Sequence, residues 1–222
     1  MTIEIAIYGA GGFARETAWL VEEISAVSGG YKVVCFIDDD KQNQGKELNG
    51  YPVVSLEEAT DRFPDARVVG GVGSPHTRES IMLKAAAAGF GTTTLIHPRV
   101  ERSKLIEIGE GAVICAGSIL AVNVEIHRYV QINLDCTIGH DAKLGDFTSL
   151  APGVHVSGWV LTGKRVYIGT GAVITNGTKD KPRFIGDDAV IGAGAVVIGD
   201  VAEGVTVVGV PARPISHRKT SE

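Results

Sequence analysis

From Ile108 onward an aliphatic residue returns at every sixth position: Ile108, Ile114, Leu120, Ile126, Ile132, Ile138, Leu144, Leu150, Val156, Ile168 and Ile174, with only Thr162 breaking the register. A period of six fits neither the period of about 3.6 of a helix nor the two-residue alternation of a half-buried strand. Fixed repeats build solenoids, and the hexapeptide period is that of a parallel β-helix, in which each short strand sends one aliphatic side chain into a shared interior. Three hexapeptides close a triangular coil, so residues eighteen apart stack. The phase slips once. Eleven residues separate Ile174 from Ile185, after which Ile185, Ile191 and Val197 resume the period. "TNGTKDKPRF" is therefore expected to leave the solenoid as a loop, and loops on regular scaffolds are where binding groups collect.

Residues 1–95 follow a different grammar. "IEIAIY", "KVVCFI", "ARVVGGV" and "TTTLI" read as strands, alternating with helix-length segments at 13–27, 55–62 and "PHTRESIMLKAAAAGF". Such βαβ alternation predicts an α/β Rossmann-like parallel sheet with helices on its faces. Ser74 as N-cap, Pro75 at the first helical position and Gly89 past the end bracket the last of these helices. "DDDKQNQGKELNGYP" reads as a surface loop that turns at Asn49-Gly50. The 222 residues thus divide into an expected domain 1–95 and a solenoid with a C-terminal cap at 96–222.

Composition narrows the partners. A net charge of -5 provides no basic stripe for a nucleic-acid backbone, while small anionic ligands remain compatible. Cys35, Cys115 and Cys136 are odd in number and lack CxxC spacing, which suits buried, reduced thiols better than a disulfide framework or a zinc site. No apolar run approaches a membrane span or a signal peptide, so the expected location is cytoplasmic.

Two places carry candidate chemistry. In "IYGAGGFA", Gly9, Gly11 and Ala14 follow a strand and precede a helix, with Asp38, Asp39 and Asp40 at the end of the second strand. Backbone N–H groups at such a turn can meet a phosphate while a carboxylate meets a ribose hydroxyl. Gly12 and Phe13 belong to the same turn. "GVGSPHTR", with Gly73, Ser74 and Arg78, would border the same crevice. The same glycines also suit close packing with no ligand at all.

The second place is "GHD" at His140-Asp141. Gly158 stacks one coil beyond His140, leaving room beside the imidazole and an accessible N–H, as polarisation of a carbonyl oxygen next to a general base requires. Adjacent residues on a straight strand point to opposite faces, so Asp141 can orient His140 only at a corner; Asp146 and Asp135 are the alternatives. His76, His97, His127, His155 and His217 are read as structural or solvated, and no metal-ligand spacing links them.

"IGEGAVICAGSIL", "IGTGAVI", "IGDDAVIGAGAVV" and "VTVVGVPAR", together with "IYGAGGFARE", resemble the hexapeptide-repeat, left-handed β-helix acyltransferases. Within them the chain is similar to the branch of sialic acid O-acetyltransferase-like proteins and nucleotide-sugar N-acetyltransferases. The resemblance implies a homotrimer without a metal that uses acetyl-CoA as acyl donor and a sugar or nucleotide-sugar as acceptor. His140 would be the base, Asp141 its orienting acid and Asn133 an acceptor contact. Gly158, Asn176, Gly192 and Ala193 would meet the coenzyme, with Lys179, Lys181 and Arg183 near its phosphates. Gly9, Gly11, Gly12, Phe13, Asp38, Asp39, Gly73, Ser74 and Arg78 would hold the acceptor. Two positions depart from the pattern: Ser149 and Phe13 stand where related enzymes carry histidines. A serine acetyltransferase and a non-catalytic trimeric nucleotide-binding module are the competing readings, and a γ-class carbonic anhydrase lacks its three zinc histidines here.

Overall fold

The computed structural model describes residues 2–215. Strand β1 (Ile3–Tyr8), helix α1 (Gly12–Ser28), β2 (Tyr31–Ile37), β3 (Glu47–Leu48), β4 (Tyr51–Val54), α2 (Leu56–Arg62), β5 (Arg67–Gly70), α3 (Pro75–Ala87) and β6 (Gly91–Thr92) form the first unit. Its sheet runs in the order β3-β4-β2-β1-β5-β6, parallel except for the β3–β4 pair. β1 and β2 are almost continuously apolar because helices and the solenoid bury both of their faces. Asn49 and Gly50, at φ of 49° and 84°, make the expected turn, and the residues flanking it pair as a β3–β4 hairpin within the segment read as a surface loop. α3 starts as expected: the Ser74 hydroxyl accepts from the Thr77 N–H, with Pro75 next.

"TTTLI" is not one strand. Gly91–Thr92 closes the first sheet beside β5, whereas Leu95–Ile96 pairs with Val113–Ile114 and opens the solenoid. From there the chain is a left-handed parallel β-helix of three sheets, of eight, six and five strands. The first face runs from Leu95–Ile96 to Thr206–Val208, with Arg213–Pro214 added antiparallel as its eighth strand, the second from Glu101–Arg102 to Val196–Val197, and the third from Ile106–Ile108 to Arg183–Ile185. Register confirms the eighteen-residue coil: Ile114 pairs with Ile132, Ile132 with Leu150 and Leu150 with Ile168. Past the phase slip Ile168 pairs with Ile191, so the excess residues are ejected and the stack continues. Thr162 keeps its place inside because its Oγ1 accepts the Gly145 N–H at 3.0 Å and lies 3.3 Å from Thr148 Oγ1.

Corners need left-handed backbone, and besides glycines they place Asn123, Tyr129, Asp135, Asp141, Phe147, Trp159, Arg165 and Asp188 at positive φ. The first unit lies on the first face, where Leu95, Val113 and Cys115 share a core with Ala14, Ala18, Leu20 and Val21 of α1. α3 lies along the corner between the third and first faces, where Arg165 pairs with both Asp188 and Glu79. Among the described residues no helix is long and apolar enough to cross a membrane.

Candidate active site and acceptor crevice

His140 sits on the corner between the second and third faces, just before Asp141. At φ 58° Asp141 turns the chain sharply enough for adjacent side chains to meet: His140 Nδ1 lies 2.8 Å from Asp141 Oδ2. Asn123, one coil earlier on the same corner, donates to Asp141 Oδ1 at 3.1 Å. The hydrogen bond from His140 is the main reason the Asp141 carboxyl is held below the usual carboxylate range; Asn123 and the charge of Lys179 push the same way. An ionised Asp141 fixes the proton on Nδ1 and leaves Nε2 as the free base. Both alternatives are occupied elsewhere: Asp146 binds the Arg128 backbone and guanidinium, and Asp135 lies on the corner between the first and second faces.

Gly158 lies directly under the imidazole. A Cβ there would stand 2.5 Å from His140 Nε2, and among the described residues the Gly158 N–H is given to no protein acceptor. A reacting carbonyl placed between the two would meet a base and a hydrogen-bond donor together. The Trp159 and His140 rings stand nearly perpendicular, with centroids 6.4 Å apart at 84°. Neither Trp159 nor Asn123 was picked out from sequence, although the period puts Asn123, Asp141 and Trp159 eighteen residues apart on one corner.

The ejected loop leaves from this same corner, and the Gly177 N–H bonds the Gly158 carbonyl at 3.1 Å. Asn176, Lys179 and Lys181 are on it, and both lysines are exposed. Arg183 is not a loop cation: it begins a third-face strand, its guanidinium reaching back to Thr175 and Asn176 and pairing with Asp200. Gly192 and Ala193 occupy the corner between the first and second faces, so within one chain they do not meet His140.

The glycines of the first unit divide into two kinds. Gly9 has φ 122°, and a Cβ on it would meet Val72 Cγ2 at 2.8 Å, so it serves packing. Gly11, Gly12 and Gly73 have open space where a Cβ would point. Gly11 and Gly73 each border a cleft. One, of about 390 Å³, is lined by Gly9, Gly11, Asp38, Asp39, Asn43 and Thr77. The other, of about 190 Å³, includes Phe13, Glu16, Gly73, Asn133, Ser149 and Tyr167. Both carboxylates are already engaged: Asp38 with the Asp40 N–H and Asn43, Asp39 with Tyr8 and Lys84. Lys84 and Tyr8 hold the Asp39 carboxyl below its usual range. Ser74 is used as a helix cap. Asn133, expected beside His140, lies on a different corner of its own chain, and its Oδ1 accepts from the Leu134 N–H.

Arg78 does not border the crevice. It is 1% exposed and turned into the solenoid, where Nε donates to the Tyr129 carbonyl and the terminal nitrogens to Val72, Phe147 and Thr148 carbonyls, Gln131 Oε1 and Ser149 Oγ. Gln131 and Ser149 in turn donate to the Gly70 and Gly73 carbonyls. Burial pushes the guanidinium down to about 9, which leaves it charged at neutral pH. Ser149 is thus a strut of this clasp.

The other histidines fit structural or solvated roles. His155 bonds Thr137, His76 lies 3.2 Å from Asp188 and His127 3.9 Å from Asp146. His97 is buried and its Nδ1 accepts from the Arg99 N–H; His217 lies outside the described residues. Burial pushes the Cys35 and Cys115 thiols up to about 12 and Cys136 to about 11, so none is a ready nucleophile. Among the described residues no group of three or more His, Cys, Asp or Glu could hold a metal ion.

Comparison with known proteins bears on both halves. Residues 4–85 match the PglD N-terminal domain family. A GDP-perosamine N-acetyltransferase of Escherichia coli O157:H7 is 33% identical over 97% of this chain and 97% of its own length. WeeI from Acinetobacter baumannii AYE superposes with a TM-score of 0.89 at 34% identity, covering 96% of this chain and all of that one (100%). The acetyltransferase domain of PglB from Neisseria gonorrhoeae FA1090, solved with acetyl coenzyme A, gives 0.85 at 32% identity over 97% and 100% of the two chains. With a relative this similar from end to end, a histidine–carboxylate pair on a hexapeptide corner and a glycine crevice on the preceding domain, the chain belongs to the hexapeptide-repeat acyltransferases, in their nucleotide-sugar acetyltransferase branch.

Proposed function

We propose that the protein moves an acetyl group from acetyl-CoA to an amine of a nucleotide-linked sugar, by direct transfer with His140 as general base. The observation that carries this reading is the bare Gly158 beneath Nε2 of an imidazole whose other nitrogen is fixed by Asp141. His140 takes the proton of the attacking amine while the Gly158 N–H meets the thioester oxygen. Collapse of the tetrahedral species expels the CoA thiolate, and the imidazolium returns the proton to it. A GDP-linked amino sugar is the acceptor named for the E. coli relative, and the open glycines at the start of α1 suit a pyrophosphate. Lys179 and Lys181, on the loop beside His140, would offset the phosphate charge of the coenzyme.

The acceptor crevice faces the first face of the prism, and His140 stands on the opposite corner of the same chain. An acceptor held by one chain would therefore react at His140 of another, which supports a homotrimer with two chains to each site. Three buried free thiols accord with a reducing cytoplasm.

Thiol release from acetyl-CoA, measured with GDP-, UDP- and dTDP-linked amino sugars beside serine, tests the reading. Release with at least one nucleotide-linked amine and none with serine is expected. Turnover with serine alone, or with no acceptor of the panel, overturns it.

A further inference from the structure

Trp159 holds a backbone conformation that its side chain disfavours. Its φ is 57°, where crowding between Cβ and the following carbonyl makes a bulky L-residue an outlier. Asn123 and Asp141, above it on the same corner, are types that accept this region. The other bulky corner residues each have a contact that offsets the strain. Tyr129 and Phe147 stack at 4.8 Å and 10° against the interdomain seam, and Arg165 pairs with Asp188 through two nitrogens. For Trp159, the ring contact among the described residues is with the His140 imidazole. Its backbone N–H donates to the His140 carbonyl at 3.0 Å, the bond to the preceding coil that Asp141 and Arg165 also make at their corners. Within its own chain the imidazole has little else to hold it: its side chain is 56% exposed and is otherwise held by the one bond to Asp141.

We propose that Trp159 is a positioning residue for the catalytic imidazole, its perpendicular ring supplying the restraint that keeps Nε2 over Gly158. The inference rests on His140 being the general base of the proposed reaction. Strain at this corner is then stored for function, as it is at many active sites.

The test uses Trp159→Asn, Trp159→Gly and Trp159→Phe in the full-length protein. Asn and Gly accept left-handed backbone, so their Tm should equal or exceed the wild-type value. Their kcat should fall about 10- to 100-fold, with the KM for acetyl-CoA within about threefold. Phe keeps an aromatic ring and should retain most of kcat. Wild-type kcat in the Asn variant, or a loss confined to the KM for acetyl-CoA, overturns the proposal. A readout independent of turnover is the His140 ring signal in histidine-labelled protein, assigned by its disappearance in His140→Asn. It should be sharp in wild type and Trp159→Phe and broadened in Trp159→Asn. An equally sharp signal in all three overturns the restraint, whereas absence of transfer by the wild type with every acceptor is failure of the proposed function.

Discussion

His140 and Gly158 meet across neighbouring coils, and their separate loss should look different. His140→Ala removes the base, so kcat should drop roughly 10²- to 10⁴-fold while the Tm and the affinity for CoA stay near wild type. Near wild-type turnover would sink the assignment. Gly158→Ala leaves the backbone comfortable, since its φ is not in the left-handed region, but sets a methyl group 2.5 Å from Nε2. Steady-state kinetics should show both a lower kcat and a higher KM for acetyl-CoA, with an unchanged melting curve; unaltered kinetics would mean that the imidazole points elsewhere. Asp141 affects the pH range in a definite direction. Its carboxyl is held below the ordinary value, so its support is complete above the usual carboxylate range and disappears only as the pH falls through the depressed value. A loss of activity between about pH 8 and pH 5 therefore reports another group, because an ordinary carboxyl titrates near 3.9.

At the scale of elements, the seam between α3 and the solenoid turns on one buried cation. Arg78→Met leaves the Tyr129, Phe147 and Val72 carbonyls without their donor, and chemical unfolding should register a loss of roughly 3–5 kcal/mol. A loss below about 1 kcal/mol would mean that water replaces the guanidinium. Nothing in the sequence revealed this role. Arg78 stands one turn into a helix beside glycines, and its solenoid partners are 51 to 71 positions away. The repeat itself was legible because six-residue spacing is a local property: it identified the inward aliphatics, the eighteen-residue stack and the ejected loop. Corner geometry was half legible, since the period places Asp141 and Trp159 on one corner but not the ring that Trp159 meets. "TTTLI" misled because two short strands of different sheets follow each other with no break in apolar character. Gly9 and Gly11 belong to one motif, yet only the structure shows that one is packed and the other open.

For the whole molecule, the separation of crevice and base predicts complementation. Gly11→Val puts its side chain into open space where an acceptor phosphate would approach, and His140→Ala removes the base. Each variant alone should be nearly inactive. Mixed one to one and allowed to exchange subunits, a random population gives about a quarter of the sites one intact crevice and one intact base from different chains, half times half. Recovery of that order in the thiol assay checks the arrangement, and none after demonstrated exchange would place both groups within one chain. The Arg78 clasp has a consequence for how such a molecule can diversify. The arginine comes from one unit, while the crown of carbonyls with Gln131 and Ser149 comes from the other. A chimera that imported a foreign first unit would bring a buried cation, or a hydrophobe, to a socket shaped for this one, so whole-domain exchange carries a heavy penalty. New acceptors are reached more readily by rewriting the lining around Phe13, Glu16 and Tyr167 while the lock between the units stays as it is.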